Sequence, residues 1–328
     1  MTKYIGRRVS LGVGRESGAR GTPVISTYWI PKVDFTFDDK VTKARILSSL
    51  GVIEDSHQAH VLTKWGEGDV GGEVRSESFG PILYSLLGSL STGVVVDSSY
   101  THTFTVANSN QHASMTFVVI DPNTTERYEL VMLNSLELTQ ELEDVLRFNA
   151  NFLGRTSKVS GGTAAFIDED KFTKRHLEFK VASNIAGLGA ASAVSIKAVN
   201  ITFTKNVVPD DAMGTAVPED FLNQAFSVEG SITLNYNDET WKNYMINNTS
   251  RAMQLVWTNT EQTISIGTTN PSLTIQLSKV DFFDWEPNYA LDEIVTQTIS
   301  FKANYDLGGQ DNMVNTISLV NEQDGTDY

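Results

Sequence analysis

Apolar and polar residues alternate with a period of two along most of this chain, and that pattern demands strands with one buried face. Leu146, Phe148, Ala150 and Phe152 share one face of such a strand, and Arg147, Asn149 and Asn151 share the other. The pattern returns at the far end of the chain, where Ile299, Phe301, Ala303 and Tyr305 lie opposite Ser300, Lys302 and Asn304. RFNANF at 147–152 and SFKANY at 300–305 keep Phe, Ala and Asn in register. A shorter pair, Val33-Asp-Phe35-Thr-Phe37 and Val199-Asn-Ile201-Thr-Phe203, has the look of a second pair of copies.

Each half also carries one short helical candidate. Pro81 suits the first helical position, Ile82, Leu83, Leu86 and Leu87 form an apolar stripe, and Gly88 suits the C-terminal cap. In the second half Asp238 can cap a turn bearing Trp241, Tyr244 and Met245 and ending at Asn247–Asn248. Strands EVRS (73–76) and SITLNY (231–236) precede them. Shared order along the chain argues for an internal duplication, since alternation alone is common to all β-rich proteins. The expected organisation is all-β with a short helix per repeat. A first domain spans 1–160, a Gly-, Ser- and Ala-rich linker 161–195, and a second domain 196–328, with HLEFKVAS (176–183) completing the first copy or bridging the two.

With 328 residues, 40% hydrophobic and 20% charged, the chain has the length and composition of about two globular domains. It has no cysteine, which removes disulfides, thiolate metal sites and cysteine nucleophiles. Its 25 basic and 40 acidic residues give a net charge of −15, which disfavours tight binding to a phosphate backbone. Lys3, Arg7, Arg8, Arg15 and Arg20 concentrate cations in the opening twenty residues. No apolar run there has signal-peptide length, and none elsewhere approaches the ~20 residues of a membrane-spanning helix, so a cytoplasmic site of synthesis without membrane insertion is expected.

Chemistry is mostly absent. His57 and His60 could begin a metal site, but no third ligand lies nearby, and they read as solvated. Gly12, Gly14, Gly18 and Gly21 lack the spacing of a nucleotide-binding loop. The acidic clusters 168–170, 210–211 and 141–144 lack the layout of a calcium loop and read as solvated charges. The sequons at Asn247 and Asn248 carry no consequence without secretion. No catalytic residue, metal or cofactor is expected. Trp65, Trp257 and Trp285 are placed in the core or an interface, although they supply the platform for the rival reading, a two-domain β-sandwich that binds a ligand or carbohydrate.

The run from Trp65 through GEGDVGGEVRSESFGPILYSLLGS to YTHTF (100–104) resembles the major tail tube proteins of long-tailed, siphovirus-type bacteriophages. LGVGRESGARGTP (11–23) is similar to that family's start, and FSVEGSITLNYNDETW and IVTQTISFKANYD to its second half. The chain is about twice the length of a single-copy subunit. The resemblance implies two tandem tail-tube-like β-sandwich or half-barrel domains with long hairpins, and a virion subunit that is not an enzyme. Such subunits form rings that stack into a tube, assembled in the host cytoplasm. If the familiar ring has six tube domains, three copies of this chain complete it. Partners would be further copies, a tape measure protein, a tail terminator and tail tip proteins, with DNA passing through unbound. Because the apolar faces must be buried, the polar set would line the lumen: Ser135, Glu137, Thr139, Arg147, Asn149 and Asn151, with Thr298, Ser300, Lys302 and Asn304. Arg147 and Lys302 would need carboxylates such as Glu137 beside them. The basic arm from Lys3 to Arg20 would reach an adjacent subunit or ring.

Overall fold

The computed structural model describes residues 3–94, 99–264, 268–324 and 328. Its strands are β1 (Ser10–Arg15), β2 (Tyr28–Ile30), β3 (Lys32–Phe35), β4 (Asp38–Leu47), β5 (Ser56–Glu73), β6 (Gly88–Val94), β7 (Tyr100–Val106), β8 (Met115–Ile120), β9 (Thr125–Gln140) and β10 (Arg147–Gly154). They continue as β11 (Lys158–Val159), β12 (Leu177–Ala182), β13 (Ile196–Thr204), β14 (Val208–Asp210), β15 (Asp220–Leu222), β16 (Ser227–Asn235), β17 (Arg251–Thr258), β18 (Ser272–Asn288), β19 (Thr296–Asn304) and β20 (Val314–Asn321). The helices are α1 (Gly80–Leu87) and α2 (Thr240–Ile246). The fold is all-β, as the alternation requires.

Two long strands organise it, each starting in one layer and ending in another. The first part of β9 pairs with β8 and β11, and its second part with β10. The first part of β18 pairs with β17 and β20, and its second part with β19. β1 adds to β8 as β12 adds to β17. One layer of each half therefore reads β1–β8–β9–β11 and β12–β17–β18–β20. The other reads β3–β5–β10–β9 and β13–β16–β19–β18. These latter layers are one sheet, because β9 and β13 pair from Gln140↔Val199 to Ser135↔Thr204.

Where the two motifs fall, an aromatic ring crosses a glycine. Phe148 lies opposite Gly72, and Phe301 opposite Gly230. A Cβ on Gly230 would lie 2.3 Å from the Asn200 carbonyl oxygen and 2.6 Å from Cζ of Phe301, so only glycine leaves room for that ring. α1 ends at Gly88 in the left-handed region (φ 82°) and buries Ile82, Leu83, Leu86 and Leu87. Trp241 and Tyr244 of α2 meet Phe282 of β18, with ring centroids 5.6 and 5.8 Å away. Asp238 caps this helix from one position earlier than a standard cap, accepting from Thr240 N at 2.8 Å.

Several expectations are corrected. Val33 is 56% exposed, because a register shift between Lys32 and Asp34 makes it an extra residue. Through their glycine partners, Phe35 corresponds to Phe203, two residues from the match that sequence alone suggests. Tyr305 is 45% exposed, since β19 ends at Asn304 before it. The strand preceding α1 ends at Glu73 and does not run through 73–76. Residues 177–182 pair with β17 of the second half, while Lys171 and Thr173 just before them bridge to Arg75 and Val145 of the first. Glu169 is buried and accepts from the backbone N–H groups of Glu77 and Ser78, unlike a solvated charge.

Lys205, just beyond β13, is 1% exposed, and its Nζ donates to the Ser85 carbonyl in the last turn of α1 at 2.7 Å. Burial, with Arg20 nearby, pushes its pKa down to about 7. The unfolded lysine titrates near 10.5, so the chain gains stability as pH rises from about 7 towards 10 and lacks that gain below 7. Urea unfolding across this range should show an upward slope that Lys205→Met abolishes, at about 1.4 kcal/mol per unit. Separately, Gly230→Ala should cost roughly 2 kcal/mol by the same measurement, because the added methyl overpacks a filled site. Gly93→Ala, where a Cβ meets nothing within 4 Å, should be close to neutral.

Candidate functional site

The joined sheet has one polar face, and its residues line up in rows across the strands. One row runs Asp34, Gly71, Asn149, Glu137, Thr202, Glu229, Lys302 and Asp281 from β3 to β18. A second runs Glu73, Arg147, Thr139, Asn200, Ser231, Ser300 and Asp284. A third runs Asp69, Asn151, Ser135, Thr204 and Ser227, and a fourth Thr233, Thr298 and Glu286. Asn304 stands opposite Lys279. All ten residues expected on the polar faces of the two hairpins thus belong to one surface.

That surface is acidic. Asp34, Asp69, Glu73, Glu137, Glu229, Asp281, Asp284 and Glu286 face three cations, Arg147, Lys279 and Lys302. Two of the cations are neutralised, though not by Glu137. Arg147 Nε meets Asp144 Oδ2 at 2.6 Å, and this bond holds the Asp144 carboxyl below its usual range. Lys302 Nζ meets Glu229 Oε1 at 2.5 Å. Glu137 instead accepts from Asn200 Nδ2 across the β9–β13 junction. Burial would raise the Glu73 carboxyl, but Lys171 at 2.8 Å and Arg75 at 3.0 Å bring it below its ordinary value. The amides are tied down as well: Asn151 donates to Asp69 and Asn304 to Asp281, each at 2.8 Å. The opposite face of the same strands carries Leu136, Leu138, Phe148, Ala150, Ile299 and Phe301 into the core.

The hairpin motifs did not point to β3, β5, β13, β16 or β18, which supply more than half of the face. Alternation at Ile201-Thr202-Phe203 and Val228-Glu229-Gly230 was the available signal. The basic arm divides. Arg20 ion-pairs with Asp220 at 2.5 Å and donates to Phe221 O, while Arg15 donates to the Tyr328 carbonyl and covers the Tyr84 ring. Glu16 between them accepts from Ser114, Thr116 and the backbone N–H groups of Gly21 and Leu130, which fastens this stretch to the body. Only Lys3, Arg7 and Arg8 remain exposed.

His57 and His60 are exposed, whereas His102, His112 and His176 are buried. No group of three potential metal ligands gathers among the described residues, and no helix among them is long and apolar enough to cross a membrane. Trp257 is fully buried, and the indole N–H groups of Trp65 and Trp285 donate to Glu67 and Gln297 at 2.7 and 2.8 Å.

The joined sheet thus presents a hydrogen-bonded polar face backed by a packed core. A sequence profile described as phage tail tube protein matches residues 6–303, and the chain belongs to that family. It is a component of the phage tail that self-assembles into a tube with other tail proteins. No curated protein matches the chain in sequence.

The Lys302–Glu229 pair is largely exposed, so Glu229→Gln should shift stability by less than about 1 kcal/mol in thermal melts while making the face less acidic.

Proposed function

We propose that this chain is a duplicated, siphovirus-type tube subunit, three copies of which close a ring with six similar domains. The rings stack into the channel through which genome DNA leaves the virion. The β9–β13 pairing carries this reading. It joins the edge strand of one half's layer to the edge strand of the other's, head to tail, and a head-to-tail relation whose rotation closes generates a ring. Two strands at the ends of the joined sheet support it further: among the described residues β3 pairs only with β5, and β18 beyond Val280 only with β19. Such edges invite strands from other copies.

In this arrangement the acidic face turns inward, with Ser135, Glu137, Thr139, Arg147, Asn149, Asn151, Thr298, Ser300, Lys302 and Asn304 on the lumen wall. Carboxylates and already paired cations offer phosphates little to hold, so DNA passes without specific binding. The tape measure protein would occupy this channel before ejection, and terminator and tip proteins would cap the tube. No catalysis or cofactor is needed. The carbohydrate-binding alternative is weakened, since Trp257 is enclosed, Trp65 donates to Glu67 of its own strand and Trp285 donates to Gln297 of the neighbouring β19.

Electron microscopy of assembled tubes should show three chains per ring, and six would overturn the arithmetic. Replacing Asn149, Asn151, Thr298 and Ser300 with lysine should leave tubes intact but slow DNA ejection. Normal ejection through such tubes would remove these residues from the lumen.

A further inference from the structure

The contact between the two halves also shows how one copy could meet the next. The segment entering β12 docks against the tip of the β9–β10 hairpin. Leu146 N donates to the Phe172 carbonyl at 2.8 Å, Thr173 bridges to Val145, and the Phe172 side chain is fully buried. A 3-10 turn, Lys174–His176, follows and leads into β12. Lys174 lines a cavity with Glu141 and Leu142 of the hairpin tip. A segment with one aromatic anchor thus sits on the hairpin tip that carries Glu141, Glu143 and Asp144, held by backbone bonds and Phe172, while Lys171 and Arg175 pair with Glu73 and Glu261 and Asp144 with Arg147.

The segment before β1 repeats this pattern, and among the described residues no hairpin tip receives it. A 3-10 turn, Gly6–Arg8, leads into β1, which adds to β8 as β12 adds to β17. Tyr4 stands two residues before that turn, as Phe172 stands two before Lys174. Lys3, Arg7 and Arg8 supply the charge. Tyr4 is 45% exposed and Ile5 64% exposed. At the other end of the chain the β18–β19 hairpin carries Asp284, Glu286, Asp292 and Glu293, with Tyr289, Leu291 and Ile294 exposed among them. None of these seven charged residues makes an ion pair among the described residues.

We propose that Tyr4–Arg8 of one copy docks on the acidic tip of the β18–β19 hairpin of a second copy, so that the contact between copies repeats the contact between halves. The inference rests on the tube reading and names its contact surface. β18 continues to Asn288 and itself covers β19 opposite Thr296–Ile299. The incoming segment therefore meets the outer edge of β18 and the turn 289–295, with Tyr4 and Ile5 covering the exposed apolar side chains. Opposite charges set register and encounter rate.

The test is a charge exchange in the full chain, followed by sedimentation velocity at low and high NaCl. Lys3→Glu, Arg7→Glu, Arg8→Glu as one variant and Asp292→Lys, Glu293→Lys as another should each weaken self-association by about tenfold at low salt. A chain carrying both sets should recover to within about threefold of wild type, and both wild type and this chain should weaken as salt screens the pairs. All substituted side chains are exposed, and matching thermal melts will confirm folding. Because the chain lacks cysteine, a mixture of Ile5→Cys and Leu291→Cys chains offers a second readout and should yield a disulfide-linked dimer on oxidation. Variants that associate like wild type, a combined variant no stronger than its parents, or assembly without cross-linking would each overturn this contact and leave the tube reading standing. A wild-type chain that stays monomeric at every salt concentration would overturn both.

Discussion

The pairing of β9 with β13 governs the rest of the architecture. Six residue pairs, from Gln140↔Val199 to Ser135↔Thr204, turn two four-stranded layers into one sheet. Period-two alternation means that one face of this sheet is set as soon as the register is set. Leu136 opposite Phe203 and Leu138 opposite Ile201 bury the seam on one side, so Glu137 opposite Thr202 and Thr139 opposite Asn200 must lie on the other. A slip by one residue would carry Phe203 and Ile201 to the polar face, where nothing in the chain could cover them. The hydrogen bond from Asn200 to Glu137 adds a polar check on the same register.

The glycine–aromatic crossings keep that sheet thin enough to pack. Phe148 over Gly72 and Phe301 over Gly230 occupy equivalent places in the two halves, and each ring fills space that a side chain on the partner strand would claim. Behind them the second layer closes the core through ring contacts such as Phe117 with Phe152, whose centroids lie 4.9 Å apart. Lys205 then ties the end of β13 to α1. Burying a lysine disfavours its charged form, so this link between the halves carries a pH dependence that an apolar contact would lack.

Much of the fold was legible because alternation and the RFNANF and SFKANY motifs report burial directly, and burial decided both hairpins. The polar face was legible only where the motifs pointed to it. Its other strands, among them Glu229 of β16 and Asp281 of β18, needed the pairing partners, which a sequence does not state. Misreadings arose where a local irregularity broke the period. The extra residue Val33 took an exposed place in what looked like regular alternation, the pairing matched Phe35 with Phe203 and not Ile201, and Tyr305 lay one residue past the strand that set its expected face. Arg15 and Arg20 could not be told from free cations, because Asp220 is 200 positions away from Arg20 in the chain.

The distribution of charge on the polar face follows from the same pairing. Arg147 and Lys302 lie on matching strands but on opposite sides of the motif phenylalanines, Arg147 just before Phe148 and Lys302 just after Phe301, and each is neutralised by a different route, Asp144 from its own hairpin turn and Glu229 from the neighbouring strand. The first half has glycine, Gly71, opposite its motif asparagine, whereas the second has the Glu229–Lys302 pair in the equivalent register. A glycine there contributes no charge and a bonded pair contributes almost none, so the two halves reach similar local neutrality with unlike residues. The surplus carboxylates Asp69, Glu137 and Asp281 each accept from an amide, Asn151, Asn200 and Asn304, which commits those three donors. A surface on which eight carboxylates outnumber three cations, two of them already paired, attracts a polyanion weakly, and that property depends on the pairings more than on the identity of any one residue.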